Sequence, residues 1–269
     1  TGSACRMVMG GTFHATANIL LRQYGHFIGI GPNFTIIDRA DSEGIINLIK
    51  SSLGMAGANK RFPSKRMVMN LISGSVNKNT SLEDLVFGGH MHLVEFMDDF
   101  KTIAEHYRQF KLDHALMDYD DLLVNWKRLL VESEQARQTL SQRFGHILVD
   151  EYQDTNHIQA ETVRLLAYTH NNVMVVGDDA QSIYSFRGAD FANIMHFGEQ
   201  FTGARLIKLE EYYRSSKAIL ALSNEIISHA EEKFAKTLFT EIEGGPRPRL
   251  AICANEAAEA RFVADQITQ

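Results

Sequence analysis

Two short apolar segments in the second half of the chain each end in polar residues. Asp150 and Glu151 follow the first segment, Ile147–Val149, and Gln181 lies shortly after the second, residues 173–176. Short runs of β-branched and aliphatic residues are typical of parallel strands, and open parallel sheets bind ligands where their strands end. One carboxylate there can hold a hard Mg²⁺ ion while its neighbour deprotonates water. The spacing therefore predicts a site for nucleotide hydrolysis.

The segment after Gln181 adds aromatic rings and a cation. Gln181 itself offers a neutral amide that can hydrogen-bond a terminal phosphate or the attacking water. Tyr184 and Phe186 can stack on bases of any sequence and Arg187 can bind the backbone, which together indicate a track for single-stranded nucleic acid. The same two rings could instead pack beneath the loop, since aromatic side chains are commonly buried.

These residues lie in segments that resemble motifs of a known family, the UvrD/Rep-type superfamily 1 DNA helicases. Residues 150–156 resemble motif II, residues 177–190 resemble motif III, and residues 209–216 resemble motif IV. Residues 12–14 resemble motif Ib, and residues 112–123 resemble a further family segment that precedes motif II. The order and spacing of these segments fit the family along nearly the whole chain.

The resemblance implies a role for each residue of the site. Asp150 would hold Mg²⁺, Glu151 would activate water and contact the ion through water, and Gln181 would sense the γ-phosphate of ATP. Arg214 would act as an arginine finger from a second motor domain, because its permanently charged fork can contact two phosphate oxygens. Tyr213 would stack on the adenine. Without the resemblance, the acidic residues could be a surface pair, and Arg214 a surface or salt-bridged arginine.

The same resemblance implies contacts with single-stranded DNA. The candidate residues are Thr12, Phe13, His14, Tyr184, Phe186 and Arg187. Thr12 and His14 offer a hydroxyl and an imidazole to phosphates, although a single histidine often has only a structural role. Phe186 replaces the tryptophan that the family usually has, so its smaller ring should weaken base stacking.

The phosphate-binding loop of such enzymes is missing from the sequence. No Gly-x-x-x-x-Gly-Lys-Ser/Thr pattern occurs, and Gly10, Gly11 and Thr12 lack the lysine that binds β- and γ-phosphates. In the family, that loop precedes motif Ib, and motifs V and VI follow the point at which this sequence stops. We therefore expect a fragment of an ATP-hydrolysing enzyme, and we expect the isolated chain to be inactive.

Length and composition fit a folded domain, and the acidic balance weakens the case for DNA binding without excluding it. The 269 residues are 45% hydrophobic and 22% charged, which is enough for a substantial core or two domains. The formal net charge of −6 offers no general attraction to DNA, so binding must come from a local groove. Lys60, Arg61, Lys65 and Arg66 form a small basic cluster that could contact DNA or face solvent.

Cysteine and histidine usage argues against disulfides and against a zinc or iron site. Cys5 and Cys253 lie far apart in the sequence, which is consistent with a reducing compartment. His90 and His92 have no nearby Cys-x-x-Cys or His-Glu-x-x-His partner. Neither a long apolar run nor a signal-peptide pattern occurs, so we expect no membrane contact and a cytoplasmic location.

The predicted fold class is α/β. The resemblance implies a RecA-like P-loop NTPase motor core with a helical 1B insertion and the start of a second motor domain. The expected segments are a remnant of the first motor domain at 1–14, the insertion at 15–112, the first motor domain at 113–203 and the second from 204 to 269. Further predicted elements are strands at 206–209 and 249–252, a helix at 157–168 capped by Thr155 or Asn156, and a helix after Ser215.

Three classes of function fit these observations. The leading one is an ATP-driven translocase that moves 3′ to 5′ on single-stranded DNA and separates duplex at junctions during repair or replication. The second is the motor of a helicase-nuclease complex. The third is a non-catalytic DNA-binding module that has lost its phosphate loop. The sequence identifies no protein partner.

Overall fold

The computed structural model describes residues 8–55 and 62–268, which fall into two compact units, Thr1–Ala204 and Arg205–Gln269. The helices of the first unit are α1 (Phe13–Tyr24), α2 (Arg39–Ser52), α3 (Lys65–Asn77), α4 (Leu82–Gly89), α5 (Met97–Asp113), α6 (Tyr119–Glu132), α7 (Glu134–Arg143), α8 (His157–Leu166), α9 (Ala192–Met195) and α10 (Phe197–Gln200). Its strands are β1 (Thr35–Ile36), β2 (Leu116–Met117), β3 (Ile147–Val149) and β4 (Val173–Val175). Its 3-10 helices include Tyr152–Asp154, Asp179–Gln181 and Ser185–Arg187. The predictions for Cys5, Lys60 and Arg61 lie outside the described residues.

Several helices of the first unit begin at a side chain that satisfies free backbone N–H groups of the first turn. Asp38, Asp118 and Asn156 each form a capping box with the residue three positions later. Such a cap contributes about 1 kcal/mol to helix stability. The predicted helix at 157–168 is confirmed as α8, with Asn156 rather than Thr155 as its cap.

The first unit contains two separate hydrophobic cores. In the first core, α6 packs against α1, α7 and α8, and Leu20 and Trp126 are buried there. The second core joins α2, α3, α4 and α5 around side chains such as Ile46 and Phe100. The apolar face of α1 packs against α6, and the second core begins with α2. The domain boundaries expected from the sequence, including the start of a helical insertion at residue 15, stay predictions.

The strands form two parallel pairs. β1 pairs with β2 in the register Thr35 to Leu116, and β3 pairs with β4 in the register Ile147 to Val173. The two strands predicted from the apolar segments are confirmed, and β4 ends one residue earlier than expected. Within the described residues these four strands form two separate sheets rather than one wider α/β sheet.

The second unit contains α11 (Lys217–Ser228) and α12 (Glu256–Ile267). The helix predicted after Ser215 is therefore confirmed. The strands predicted at 206–209 and 249–252 are wrong: neither segment forms a ladder, and their apolar side chains are exposed. A strand needs a neighbouring strand to satisfy the hydrogen bonds of its backbone. In the described part of this unit, Glu211 and Phe239 form an isolated β-bridge.

In the part of the chain that the structure describes, none of the helices combines the length and apolar character needed to cross a lipid bilayer.

Candidate functional site

Asp150 and Glu151, here called the strand-end pair, directly follow β3. Because β3 and β4 are parallel neighbours, their ends lie at the same edge of the sheet. The backbone N–H of Tyr152 donates to the carbonyl oxygen of Val176 at 2.9 Å, which extends the pairing past the strand-end pair. Both acidic side chains are exposed, so their carboxylates face solvent at the edge where parallel sheets bind ligands.

Glu151 adopts a backbone conformation that is costly for a residue with a Cβ atom. Its φ of 51° and ψ of 42° lie in the left-handed helical region. That region costs about 1–2 kcal/mol for an ordinary residue, and such strain concentrates at functional sites. The backbone N–H of Glu151 donates to Asp150 Oδ1 at 3.0 Å, and its carbonyl accepts from Asp154 N at 2.9 Å. These bonds hold the turn in place.

Gln153 connects the end of β3 to the turn after β4. Its Nε2 donates to Glu151 Oε2 at 2.7 Å, and its Oε1 accepts from Asp178 N at 3.1 Å. In that turn, Gln181 Nε2 donates to Asp178 Oδ2 at 2.8 Å. The strand-end pair and Gln181 therefore belong to one hydrogen-bonded arrangement, as the strand pairing predicts.

Gly177 opens the turn after β4 in a position with no room for a side chain. A Cβ atom there would lie 2.6 Å from Gln153 Oε1 and 2.7 Å from Ile194 Cδ1. Both distances are far below normal contact. The glycine therefore allows the Gln153 amide to reach the turn.

Asp154 adds a third carboxylate near Glu151. Its Oδ1 is buried and has no hydrogen-bond partner among the described residues. Burial raises the pKa of Asp154, and the charge of Glu151 raises it further. A buried acceptor that lacks a donor is rare in folded proteins, and it fits a site that a ligand or its water shell completes.

The residues predicted to bind DNA near the start of α1 have defined structural roles. Thr12 is the N-cap, and its Oγ1 accepts from Ala15 N at 3.2 Å. Phe13 is half-buried and packs beside Trp126, with ring centroids 6.3 Å apart. The aromatic ring of Phe13 therefore belongs to the first core, which favours a structural role for it over base stacking.

His14 is half-buried against α6. Its ring meets Tyr119 edge-on, with centroids 5.8 Å apart. Burial lowers the pKa of His14, and the charge of Asp120 opposes this shift in part. A neutral imidazole at this position can still donate one hydrogen bond to a phosphate.

Tyr184 immediately precedes the 3-10 helix Ser185–Arg187, and Phe186 is its central residue. Their ring centroids lie 6.0 Å apart, and the Phe186 side chain is 69% exposed. Exposed aromatic faces of this kind suit base stacking. The backbone of Arg187 ends the same 3-10 helix, and its side chain lies outside the described part of the structure.

Asn77, the last residue of α3, connects the two candidate DNA segments. Its Nδ2 donates to Asp120 Oδ1 at 2.7 Å, and its Oδ1 accepts from Asn156 Nδ2 at 2.8 Å. Gly188 packs directly on Asn77, because a Cβ on Gly188 would lie 2.9 Å from the Asn77 carbonyl oxygen. Asp120 in turn acts electrostatically on His14. Asn77 therefore contacts Gly188 in the turn at 185–188 directly, and it is linked to the start of α1 through Asp120.

The first turn of α6 holds a second group of carboxylates, Asp118, Asp120 and Asp121, here called the helix-start cluster. Lys111 Nζ lies 2.7 Å from Asp118 Oδ2 and 2.6 Å from Asp121 Oδ2. Tyr107 donates to Asp118 at 2.9 Å. Burial opposes ionisation of Asp118, but the charge and hydrogen bond of Lys111 outweigh it and lower its pKa. Burial and the neighbouring Asp118 charge raise the pKa of Asp121 to about 6.

Residues 1–202 match the family model described as the UvrD/REP helicase N-terminal domain. The chain belongs to the UvrD/Rep helicase family. A probable DNA helicase II homolog from Rickettsia conorii is 32% identical over 264 residues, which cover 96% of this chain and 39% of the relative. The ATP-dependent DNA helicase PcrA from Bacillus subtilis is 35% identical over 260 residues, covering 96% of this chain and 34% of the relative. The ATP-dependent DNA helicase UvrD1 from Mycobacterium tuberculosis is 36% identical over 279 residues, covering 99% and 35%.

The family predicted from the motifs is therefore confirmed. The chain spans between 34% and 39% of the length of these three relatives. The strand-end pair and the turn at 177–181 fall inside the range of the UvrD/Rep family model. Tyr213 and Arg214 fall outside it, belong to the second unit and have exposed side chains. Their contacts with nucleotide stay predictions.

The strand-end pair has the chemistry that Mg²⁺ requires. Hard carboxylate oxygens are its preferred protein ligands, and Mg²⁺ usually takes one or two of them together with water and phosphate oxygens. Asp150 and Glu151 are exposed at the strand ends, and among the described residues no third acidic, histidine or cysteine side chain joins them in a group that could hold a metal ion. The residues present therefore fit the ion.

Sequence reasoning missed the connecting roles of Gln153, Gly177 and Asn77. Gln153 and Gly177 lie inside the motif segments, so the resemblance could have drawn attention to them. Asn77 lies in no motif, and its partners Asp120 and Asn156 are distant in sequence. Nothing in the local pattern around Asn77 indicates its role.

Proposed function

We propose that this chain is part of the motor of an ATP-dependent DNA helicase that moves 3′ to 5′ on single-stranded DNA and opens duplex at junctions, in repair or replication in the cytoplasm. The parallel pairing of β3 and β4 carries the proposal, because it brings the strand-end pair beside the turn at 177–181 in a chain of this family. The fold proposed for the complete motor is RecA-like, with α2–α5 as its helical insertion.

The chemistry follows from the side chains at the strand ends. Asp150 would hold Mg²⁺, and the ion would supply positive charge to neutralise the phosphates of ATP. Glu151 accepts a proton from the water that attacks the γ-phosphorus, and its exposed carboxylate is free of salt bridges among the described residues. Gln181 hydrogen-bonds the γ-phosphate by exchanging its bond to Asp178 for one to the nucleotide.

The second unit supplies the remaining proposed nucleotide contacts. Tyr213 stacks on the adenine, and Arg214 stabilises the negative charge that develops on the transferred phosphoryl group. Both side chains are exposed in this structure, which leaves them accessible to a ligand.

Single-stranded DNA is the proposed partner of the turn at 184–187. The exposed ring of Phe186 and the adjacent Tyr184 offer stacking faces, and Arg187 offers a cation for the phosphates. Thr12 and His14 are proposed to contact the backbone, while the position of Phe13 in the first core supports them from beneath.

The decisive experiment measures DNA-stimulated ATP hydrolysis by the longest natural protein that contains this sequence and by the chain alone. Replacing Glu151 by Gln keeps the shape of the side chain and removes the base, so we expect turnover to fall by about 10²–10⁴-fold with nucleotide binding retained. Glu95→Gln, at an exposed glutamate, is the matched control and should leave turnover unchanged.

Activity in the longer protein alone would support a motor whose remaining parts lie outside this chain. Unchanged turnover in the Glu151→Gln variant would show that Glu151 is not the general base. Absence of hydrolysis in both proteins would favour the non-catalytic DNA-binding module.

A further inference from the structure

Gln153 is an unusual residue for its surroundings. It is only 1% exposed, although glutamine is a polar side chain that folded proteins usually leave in water. Burial of an amide is tolerated when its hydrogen bonds are satisfied inside the protein. The partners of Gln153 are therefore the reason for its position.

The two ends of the Gln153 amide bind two different parts of the site. Nε2 donates to the carboxylate of Glu151 at 2.7 Å, and Oε1 accepts from the backbone N–H of Asp178 at 3.1 Å. A carboxylate cannot donate and a backbone N–H cannot accept, so the orientation of the amide is fixed by its partners. Neither a carboxylic acid in its ionised form nor an apolar side chain could make both bonds.

Gly177 provides an independent sign that this connection matters. Any side chain at Gly177 would collide with Gln153 Oε1, since the Cβ would lie 2.6 Å from it. The φ of Gly177 lies outside the left-handed region that favours glycine, so its conformation does not demand a glycine. The space left by Gly177 therefore serves the approach of Gln153.

The Gln153 bond also acts on a strained residue. Glu151 is held in the left-handed region, with φ of 51°, where its side chain would otherwise be free to choose among rotamers in solvent. A charge-assisted hydrogen bond is roughly twice as strong as a neutral one. The bond from Gln153 selects one direction for the Glu151 carboxylate.

We propose that Gln153 is a positioning residue that fixes the Glu151 carboxylate relative to the turn at 177–181. The hydrogen bonds run from Glu151 through Gln153 to Asp178, and Asp178 in turn binds Gln181 through its Oδ2 at 2.8 Å. A displacement of the turn is thereby transmitted to the carboxylate. The inference rests on the proposed function, in which Glu151 is the general base and Gln181 contacts the γ-phosphate.

The test uses the longest natural protein that contains this sequence, with single-turnover and steady-state ATP hydrolysis as readouts. Gln153→Met keeps the length of the side chain and removes both hydrogen bonds, and Gln153→Glu keeps an acceptor for Asp178 but places a second charge against Glu151. Residues that orient a site residue typically contribute 10- to 100-fold to activity. We expect kcat to fall by roughly that factor in both variants, with KM for ATP changed by less than about threefold.

A double-mutant cycle separates positioning from general damage to the fold. If Gln153 acts through Glu151, adding Gln153→Met to Glu151→Gln should lower the remaining rate by less than about threefold. Equal losses in the presence and absence of the Glu151 carboxylate would overturn the inference, as would an unchanged kcat in the single variants. Gly177→Ala, which pushes on the amide oxygen from the other side, should show the same dependence on Glu151.

Gln138→Met is the matched control. Gln138 Nε2 donates to Glu134 Oε1 at 3.0 Å, so the same kind of bond is lost, but at an exposed position on α7. We expect its kcat to equal that of the unmodified protein. Failure of the proposed function is distinguishable, because Glu151→Gln alone would then leave hydrolysis unchanged whatever the Gln153 variants do.

Discussion

The strand-end pair and the helix-start cluster are both groups of neighbouring acidic residues, yet their surroundings are opposite. Asp118 is buried, and Lys111 forms salt bridges with both Asp118 and Asp121. Asp150 and Glu151 are exposed, and in the described part of the chain neither forms a salt bridge. Carboxylates whose charges are already balanced stabilise a fold, whereas carboxylates held facing solvent are available to a ligand.

The backbone shows the same contrast. Asp118 occupies the N-cap of α6 in an ordinary extended conformation and completes a capping box with Asp121. Glu151 is held in the left-handed region, where a β-carbon is unfavourable. The backbone conformation of Asp118 is therefore favourable for its residue type, whereas that of Glu151 is unfavourable. This difference favours a structural role for the first group and supports the chemistry proposed for the second.

The largest expected effect on stability comes from removing the cation of the helix-start cluster. Lys111→Met leaves Asp118 and Asp121 without their charge partner, which should lower the free energy of unfolding by about 3–5 kcal/mol. Urea unfolding can be followed by the fluorescence of Trp126, the single tryptophan, which lies in the first core. Lys101→Met, which breaks the exposed pair with Glu83, should leave the free energy of unfolding nearly unchanged. Equal losses in the Lys111→Met and Lys101→Met variants would show that burial does not strengthen the contribution of the Lys111 salt bridges.

The next effect concerns the asparagine that joins the helix-start cluster to α8. Asn77→Ala removes the donor to Asp120 and the acceptor of Asn156, so unfolding free energy should fall by about 1–3 kcal/mol. Gln109→Ala, which loses an exposed bond to Asp113, is the control and should be nearly neutral. The same urea titration measures both. A neutral Asn77→Ala variant would show that this connection contributes little to the fold.

A smaller effect, in which glycine should be favoured, is expected in the strand-end pair. Glu151→Gly and Glu151→Ala both remove the carboxylate that accepts from Gln153, and only glycine also removes the unfavourable β-carbon. Glu151→Gly should therefore be more stable than Glu151→Ala by up to about 1 kcal/mol, while both variants of the longer protein lose ATP hydrolysis. Glu105→Gly, within the exposed face of α5, should instead be less stable than Glu105→Ala by about 1 kcal/mol. Thermal unfolding of the two pairs of variants provides the measurement. If Glu151→Gly is no more stable than Glu151→Ala, the left-handed conformation of Glu151 does not lower stability.

The smallest expected effect is the pH dependence that His14 contributes. Burial lowers the pKa of His14 below the usual value of 6.5, so His14 binds a proton less readily in the folded chain than in the unfolded chain. The stabilising contribution of the neutral ring is therefore present above pH 6.5 and is lost as the pH falls below it. His14→Gln should lose less stability than the unmodified chain between about pH 7 and pH 5.5. Urea midpoints at several pH values test this, with His146→Gln as the control for loss of a histidine ring.

Local patterns were sufficient for the elements that position the strand-end pair. The apolar runs that form β3 and β4, and the Asn156 cap that starts α8, are read from neighbouring residues alone. The connecting residues could not be found in this way. Gln153 reaches a partner 25 positions away, and Asn77 reaches partners 43 and 79 positions away. Such contacts depend on how the helices pack.

The incorrect predictions have the same origin. The segment at 206–209 has the composition of a strand, but strand formation needs a partner at hydrogen-bonding distance, and composition does not supply one. The helical pattern of α1 resembles that of the helices that follow it. The structure shows that the buried side chains Leu20 and Leu21 of α1 pack in the first core, which also contains residues of α6. Helical periodicity identifies an apolar face but not the surface that covers it.

The pairing of β1 with β2 has a consequence for how this fold can vary. The chain leaves the first core after Ile36 and returns at Leu116, and these positions lie in adjacent parallel strands. Neighbouring strands are only about 4.8 Å apart. The segment that carries the helices of the second core therefore begins and ends at adjacent positions. The entropy cost of closing a loop rises slowly with its length. Helices can therefore be gained or lost between these strands at a small entropic cost while α1 keeps its place against α6.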